Sequence, residues 1–176
     1  MKSKLSAMLI LLLLIAAGCS EQTETNNNVF TYTNHLDIDY GEDICAYTNK
    51  PIERVRFGGR MMMNDGEILK FMSAEATAGY YLEMENRERV ESIEIVDFAH
   101  GQKYLPVDEL VYLQSSLQPS PNGLFLTPVD ASNEKMKTYI YNAYPGTFYS
   151  WDEVLELVSE EWDLPAADAR ECCDLK

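Results

Sequence analysis

The sequence has few basic residues and few of the side chains that most often carry catalytic chemistry. Lysine and arginine total 14 of its 176 residues against 29 acidic residues, and there are only 2 histidines and 4 cysteines. So few cations leave no basic surface for nucleic-acid phosphates. No G-x-S-x-G, H-E-x-x-H or glycine-rich phosphate-loop motif is present in the sequence. We therefore expect a binding role rather than an enzymatic one, and no nucleic-acid partner.

Long apolar runs are also lacking, except near the N-terminus. Lys2 and Lys4 precede a short apolar run at residues 9–15, and the small residues A-A-G at 16–18 then lead to Cys19. This pattern is typical of a signal peptide covering residues 1–18, because the run is too short for a stable membrane span. A cysteine directly after small residues resembles a bacterial lipobox, which implies cleavage before Cys19 and its diacylation. The alternatives are an uncleaved anchor and ordinary secretion.

Loss of the signal peptide makes the chain more acidic. Cleavage removes Lys2 and Lys4 but no acidic residue, which leaves 12 basic and 29 acidic residues and a formal net charge of −17. Acyl chains rather than charge must then hold the protein at the membrane. Ser20, where an aspartate would favour the inner membrane, favours the outer membrane or the cell surface. Residues 19–43 begin polar and asparagine-rich, and predict a lipidated terminus followed by a flexible tether.

The rest of the chain predicts the order strand, strand, helix, strand twice, over residues 44–100 and 101–158. In the first half, Asn64-Asp65-Gly66 between two apolar runs predicts a hairpin, and Ser73 is a favourable N-cap for the following helix. In the second half, one strand region over 104–116 and another near 126 precede a helix that Pro145-Gly146 ends. We therefore predict an α+β fold of two related ββαβ modules in tandem, with residues 159–176 as a C-terminal tail.

The two predicted modules can be aligned with each other. The alignment superposes Phe71 on Leu126 as equivalent core positions and predicts a junction between the modules near residues 100–104. It also places Glu75 on Asp130, each at a predicted helix start. A helix dipole favours an acidic residue in its first turn, so we interpret Glu75 and Asp130 as helix-start charges rather than as a catalytic pair.

Short motifs follow one another in a fixed order over residues 44–158. They comprise Cys45, Tyr47, Ile52, Arg56-Phe57-Gly58, Gly66, Phe71, Ser73, Glu75, Val96-Asp97-Phe98, Ser120-Pro121, Gly123 and Trp151-Asp152-Glu153-Val154. In this order they resemble the NosL lipoproteins, accessory copper chaperones associated with nitrous oxide reductase. The resemblance implies two ββαβ modules, Cu(I) as the ligand, copper delivery as the role, and a metal-accepting protein partner.

The chain departs from the NosL pattern where that family has sulfur. The family motifs C-x-Y-C-x-M-x-I, S-x-E-C and S-P-M-G contain sulfur residues at positions that are here Thr48, Lys50, Ala76 and Asn122. Cu(I) prefers thiolate and thioether ligands. Of the sulfur atoms that the resemblance would bring to the site, only that of Cys45 is present. Lys50 adds a positive charge near Cys45, which either repels a metal ion or favours the thiolate.

Other side chains offer soft or imidazole ligands elsewhere. In a strand, Met61 and Met63 face one way and Met62 the other, so Met62 is a candidate ligand, while core filling is the alternative for the whole run. His100, after the last strand of the first module, and His35, in the tether, are candidates against simple solvation.

The vicinal pair Cys172-Cys173 lies in the tail, beyond the NosL-like region. With Cys19 lipidated, three thiols remain in a protein exported to an oxidising compartment, so at least one stays free or pairs between chains. Four states stay open. Cys45 bridges to a tail cysteine, the tail pair forms a strained and labile vicinal bridge, three thiols surround a soft metal, or the tail is exposed without a function.

The sequence thus leads to two hypotheses. The first is a membrane-anchored NosL-like lipoprotein that binds copper or another soft metal at a reduced or relocated site, with Cys45, Met62, Cys172 and Cys173 as candidate ligands. The second is a scaffold that has lost metal binding and serves contact with a protein or a small ligand.

Overall fold

A computed structural model of the chain describes residues 37–166. The predicted signal peptide, Cys19, His35, and the tail cysteines Cys172 and Cys173 lie outside the described residues. The strands are β1 (Gly59–Met63), β2 (Ile68–Phe71), β3 (Val90–Val96), β4 (Tyr104–Pro106), β5 (Leu110–Gln114), β6 (Leu126–Asp130) and β7 (Thr147–Tyr149). The helices are α1 (Ala74–Glu83), α2 (Glu134–Ala143) and α3 (Trp151–Trp162), and short 3-10 turns cover Arg87–Arg89 and Val107–Glu109.

The strands form two antiparallel sheets. The first has the order β2-β1-β3-β4 and the second has the order β6-β5-β7. Helix α1 connects β2 to β3 and helix α2 connects β6 to β7. Each sheet is therefore built around a strand–strand–helix–strand unit, and the predicted α+β fold of two ββαβ modules is confirmed.

Local sequence signals set the boundaries of several elements. The turn between β1 and β2 contains Gly66 with φ of 88°, a conformation that side chains rarely adopt. Helix α1 begins directly after Ser73, whose side-chain oxygen accepts a hydrogen bond from the Ala76 N–H. Helix α2 ends at Ala143, just before Pro145-Gly146. The predicted hairpin, N-cap and helix end are all found.

The predicted strand region over residues 104–116 is divided between the two sheets. β4 pairs with β3 in the first sheet, the Val107–Glu109 turn follows, and β5 then begins the second sheet. The chain turns where β4 ends at Pro106, which has no N–H to donate to a longer ladder. The first sheet thus includes a strand from beyond residue 100, and the division of the chain into modules at that residue stays a prediction.

The predicted alignment of the modules is wrong in its register. Phe71 and Leu126 are both fully buried, but Phe71 is the last residue of β2 and Leu126 is the first residue of β6. Asp130 therefore ends β6 instead of starting α2, and its carboxylate accepts hydrogen bonds from the N–H and the hydroxyl of Ser132. The error arises because the N-cap of α2 is Asn133, much further from Leu126 than Ser73 is from Phe71.

The core joins the two sheets through α1 and α3. One cluster of buried side chains contains Ala74 and Leu82 of α1, Ile95 of β3, Tyr112 of β5 and Val158 of α3. A second cluster lies beneath the segment that precedes β1 and includes Cys45. No helix among residues 37–166 is long and apolar enough to cross a membrane.

Candidate functional site

Cys45 lies in a tight loop of the segment that precedes β1. Its N–H donates to the Lys50 carbonyl at 2.9 Å, and its carbonyl accepts from the Asn49 N–H at 2.9 Å. The next residue, Ala46, donates its N–H to the carbonyl of Lys70 in β2, which fixes the loop to the edge of the first sheet. The Cys45 thiol is free and fully buried.

The surroundings of Cys45 are rich in sulfur. Cys45 shares its buried cluster with Met61, Met63 and Ala76, and Met72 and Met84 pack against that cluster. We call this group the sulfur cluster; it comprises Cys45, Met61, Met63, Met72 and Met84. Ala76, at a position where the NosL motif has cysteine, lies in the same buried cluster as Cys45.

The side chain of Thr48 contacts a sulfur atom, whereas the side chain of Lys50 is exposed. The Thr48 hydroxyl donates to Sδ of Met72 at 3.3 Å, so a thioether lies beside the position of the second NosL cysteine. Lys50 is exposed, and its backbone carbonyl rather than its side chain contacts Cys45. Sequence reasoning missed Met72, although its place directly before the helix N-cap was a usable signal.

A buried polar network covers the N-terminus of α1. The Ser73 hydroxyl donates to Oδ1 of Asn122 at 2.6 Å, which ties the S-P-N-G segment to the helix. The Ser120 hydroxyl donates to Oε1 of Glu75. The Leu126 N–H approaches the same oxygen at 3.4 Å. Residues 120–126 are therefore held against the first turn of α1 by these hydrogen bonds.

Glu75 is not the helix-start charge that the sequence predicted. It lies in the first turn of α1 as predicted, but it is fully buried. Burial raises its pKa, against the opposing effect of the hydrogen bond from the Ser120 hydroxyl. Its Oε2 has no partner within hydrogen-bond geometry among the described residues. The environment thus favours the neutral carboxylic acid.

The positions that the resemblance assigns to copper ligands gather at the junction of β2 and α1. Cys45 and Ala76 share one buried cluster, the Thr48 hydroxyl contacts Met72, and Asn122 is bonded to Ser73. Residues 72–76 touch each of these positions. These contacts bring Cys45, Thr48, Ala76 and Asn122 into one neighbourhood of the fold.

Two stacked aromatic rings pack against α1 at Gly79. Tyr47 and Trp162 stack with ring centroids 5.6 Å apart and planes inclined by 6°. They lie over Gly79, where an added Cβ would be 2.7 Å from Trp162 and 2.8 Å from Tyr47. The stack places the end of α3, from which the tail continues, beside the loop that holds Cys45.

The remaining candidates lie apart from Cys45. Met62 is half-buried on the face of β1 opposite to Met61 and Met63, as the alternation predicted. His100 is half-exposed, and its Nδ1 contacts the carboxylate of the buried Asp97. Among residues 37–166, no group of three or more His, Cys, Asp or Glu side chains is arranged to hold a metal ion. Neither Met62 nor His100 joins the sulfur cluster.

Comparisons with known proteins bear on the fold. No protein-family model matches the sequence, and no curated protein matches it significantly. Among solved structures, the crystal structure of the copper chaperone NosL from Shewanella denitrificans is similar, with a TM-score of 0.53 and 16% identity. The match covers 64% of this chain and 89% of that chain. The protein therefore has a NosL-like fold.

Proposed function

We propose that the protein is a membrane-anchored, NosL-like lipoprotein that binds Cu(I) at a reduced site with Cys45 as the anchoring thiolate. The observation that carries the proposal is the position of Cys45. Its buried thiol lies among thioether side chains, at the junction where the NosL-like ligand positions gather. Thiolate and thioether sulfur are the ligands that Cu(I) prefers.

We propose Met72 as a second ligand, because it packs against the cluster of Cys45 and is only partly buried. Its sulfur lies 3.3 Å from the Thr48 hydroxyl, three residues along the chain from Cys45. A hydroxyl donates only weakly to a thioether, so the Thr48 hydrogen bond is a modest competitor for this sulfur. Binding requires the Cys45 thiol to lose its proton, and we expect loading to weaken as the pH falls.

The tail offers a relocated version of the same site. Cys172 follows Trp162, which is stacked on Tyr47, by ten positions in the sequence. A chain of that length extends at most about 36 Å, and we propose that this length lets the tail thiols reach the Cys45 loop. Cys45 anchors the ion in either version, and the source of the second sulfur is a matter for experiment.

Delivery of the ion to a protein partner is the role that fits this site. A formal net charge of −17 after cleavage attracts cations to the surface. An acyl anchor on Cys19 would keep the site at the cell envelope, in the outer membrane or at the surface. One thiolate and one thioether bind less firmly than a closed site of several thiolates, so the ion can be passed on.

A scaffold without metal is the second candidate. The observation that favours it is the network of Ser73, Glu75, Ser120 and Asn122, which fills the α1 side of the site with hydrogen-bonded oxygen. Oxygen of this kind gives Cu(I) little stabilisation. On this hypothesis the network holds the two modules together around a surface for a protein or a small ligand.

X-ray absorption at the copper edge separates these hypotheses. The full chain in detergent is loaded with Cu(I) without oxygen, and sulfur neighbours are counted. We expect Cys45→Ser to abolish loading, Met72→Leu to lower the sulfur count, and the matched control Met62→Leu to change nothing. A lower count in Cys172→Ser/Cys173→Ser instead identifies the relocated site. Failure of the wild-type chain to bind copper supports the scaffold.

A further inference from the structure

Two exposed arginines, Arg54 and Arg56, lack the ion pairs that other basic residues form. We call them the arginine pair. The basic residues that contact a carboxylate within residues 37–166 include Arg60, Lys70, Arg89 and Lys137. The arginine pair forms no ion pair with any described residue, although the chain has 29 acidic residues against 14 basic ones. Carboxylates were plentiful, so the unpaired state of these two side chains calls for another explanation.

Aromatic rings hold both guanidinium groups in place. Phe57 and Phe98 are buried and pack edge to face, with ring centroids 5.3 Å apart. Cζ of Arg54 lies 5.8 Å from the centroid of Phe57, and Cζ of Arg56 lies 5.3 Å from the centroid of Phe98. The negative face of an aromatic ring attracts a cation in this position. The arginine pair thus lies over one platform of two rings in contact.

Further contacts restrict the two side chains but use few of their donors. Nη1 of Arg54 donates to the Pro119 carbonyl at 3.0 Å. The side chain of Arg56 passes Gly101, where an added Cβ would lie 3.3 Å from Cγ of Arg56. A guanidinium group has five N–H donors, so most donors of the pair remain for a ligand. Donors that are already held in place lose little conformational entropy on binding.

The neighbouring charges do not balance the arginine pair. Glu53 is exposed and adjacent in sequence, but it forms no ion pair with either arginine. The nearby bases face acids of their own. Hydrogen bonds from Ser132 and, to a smaller degree, the charges of Lys103 and His100 lower the pKa of Asp130. Two guanidinium groups beside one detached carboxylate therefore leave a local positive charge on an acidic protein.

The segment that carries the arginine pair, residues 50–56, is bonded to the segment that leads into the Cys45 loop. The Cys45 N–H donates to the Lys50 carbonyl at 2.9 Å, and the Tyr40 hydroxyl donates to the Val55 carbonyl at 3.0 Å. The two segments therefore form one hydrogen-bonded unit, with Cys45 towards one end and the arginine pair at the other. Val55, between the two arginines, is 45% exposed and offers an apolar contact beside the charges.

We propose that the arginine pair and Val55 form a docking surface for an acidic segment of a partner protein. Charge complementarity identifies the occupant, because a guanidinium fork binds a carboxylate through two parallel hydrogen bonds. The net negative charge of the rest of the chain repels an acidic segment and so directs it to this surface. The purpose rests on the proposed function, since a partner docked here lies beside the Cys45 loop, but the docking itself needs no metal.

Fluorescence anisotropy of a fluorescein-labelled peptide of alternating glutamate and leucine tests the docking surface. The peptide is titrated with the metal-free full chain in nonionic detergent at about 0.15 M salt, where charges more than about 8 Å away are largely screened. We expect Arg54→Gln and Arg56→Gln each to weaken binding at least ~10-fold, because each removes charged hydrogen bonds. Lys135→Gln is the matched control, since it removes one positive charge from an exposed lysine of α2. We expect it to change binding less than ~2-fold.

A second variant keeps the charge and removes the fork. We expect Arg54→Lys/Arg56→Lys to weaken binding at least ~5-fold, because lysine cannot make the paired hydrogen bonds. This variant also serves if a glutamine variant does not fold. Wild-type affinity in the lysine variant, or equal weakening by Lys135→Gln and the glutamine variants, would overturn the proposal.

Two further outcomes would also overturn the docking surface. The first is a wild-type chain that does not bind the peptide. The second is displacement of the peptide by inorganic phosphate but not by acetate at equal ionic strength, because phosphate would then be the ligand. No copper is present, so failure here leaves the proposed function standing. Conversely, we expect Cys45→Ser to bind the peptide as the wild type does, whatever its effect on copper.

Discussion

The Thr48 hydroxyl donates a hydrogen bond to Sδ of Met72 at 3.3 Å. This contact puts a thioether next to a position where the NosL motif has a cysteine, although Met72 itself occupies a variable position between Phe71 and Ser73 of the motifs. A site that lacks the cysteines of the motif can therefore still offer a sulfur ligand to Cu(I), if a methionine from a neighbouring segment supplies it. The consequences for binding, stability and anchoring can each be measured.

Restoring the NosL pattern should strengthen copper binding. The variant Thr48→Cys/Lys50→Met/Asn122→Met adds three sulfur atoms, two at positions that contact residues 72–73 and one at Lys50, whose backbone carbonyl contacts Cys45. We expect Cu(I) affinity to rise by orders of magnitude, although not additively, because the new ligands share one ion. Competition with a chromophoric Cu(I) chelator measures the change. An unchanged affinity in a folded variant would show that these positions do not converge on one ion.

The buried Glu75 should make stability depend on pH. Because burial raises its pKa in the folded protein, the folded state binds its proton more tightly than the unfolded state. Its stabilising contribution is present below the ordinary value of 4.5 and is lost as the pH rises through the higher folded pKa. Each unit of pKa shift corresponds to about 1.4 kcal/mol.

Denaturant unfolding across this pH range, in wild type and in Glu75→Gln, measures the effect. We expect the free energy of unfolding of wild type to fall relative to the variant as the pH rises above 4.5. Asp43 and Glu153, whose pKa values are lowered, titrate in both proteins and cancel in the difference. Parallel curves for the two proteins would contradict the assignment.

The stacked rings of Tyr47 and Trp162 should leave room only for a glycine at position 79. An alanine Cβ there would lie 2.7 Å from Trp162, and overpacking of this kind costs about 1–3 kcal/mol. We expect Gly79→Ala to lower the free energy of unfolding in wild type. In a Tyr47→Ala/Trp162→Ala background the same change should stabilise by up to about 1 kcal/mol, because alanine favours helix. Equal effects in both backgrounds would count against the packing seen here.

Sequence reasoning succeeded where a signal is local and failed where a partner is distant. Gly66 in its turn, Ser73 at its helix start and Pro145-Gly146 at a helix end act through neighbouring residues, and each was predicted correctly. The buried carboxyl group of Glu75 accepts a hydrogen bond from Ser120, 45 residues away, and its first-turn position alone suggested a helix-start charge instead.

The same distinction explains the errors in the strands and the site. β4 belongs to the first sheet because of its pairing with β3, which no pattern within residues 104–116 reveals. The resemblance singled out Cys45, Ala76 and Asn122, and their role in a site stays a prediction. It did not lead to Met72, because that residue reaches the site through a contact that the motifs do not contain.

Cys19 should be the mature N-terminus and should carry lipid. The basic start, the short apolar run and the small residues before Cys19 form the signal on which this expectation rests. We expect Cys19→Ala to leave unmodified precursor in a bacterial host that processes lipoproteins. Mass spectrometry of the N-terminal peptide provides the readout, with Cys45→Ser as a control that should be processed normally. An intact Met1 terminus on the wild-type protein would contradict lipidation.

Anaerobic Cu(I) titration of the full chain in detergent, against a chromophoric chelator, tests the central claim most directly. We predict that wild type takes up one Cu(I) per chain, that Cys45→Ser loses this uptake, and that Met72→Leu weakens it while Met62→Leu does not. Met62 is the matched control because it lies on the opposite face of the same strand as two members of the sulfur cluster. Uptake that survives Cys45→Ser, or a wild-type chain that removes no copper from the weakest chelator, would contradict the account.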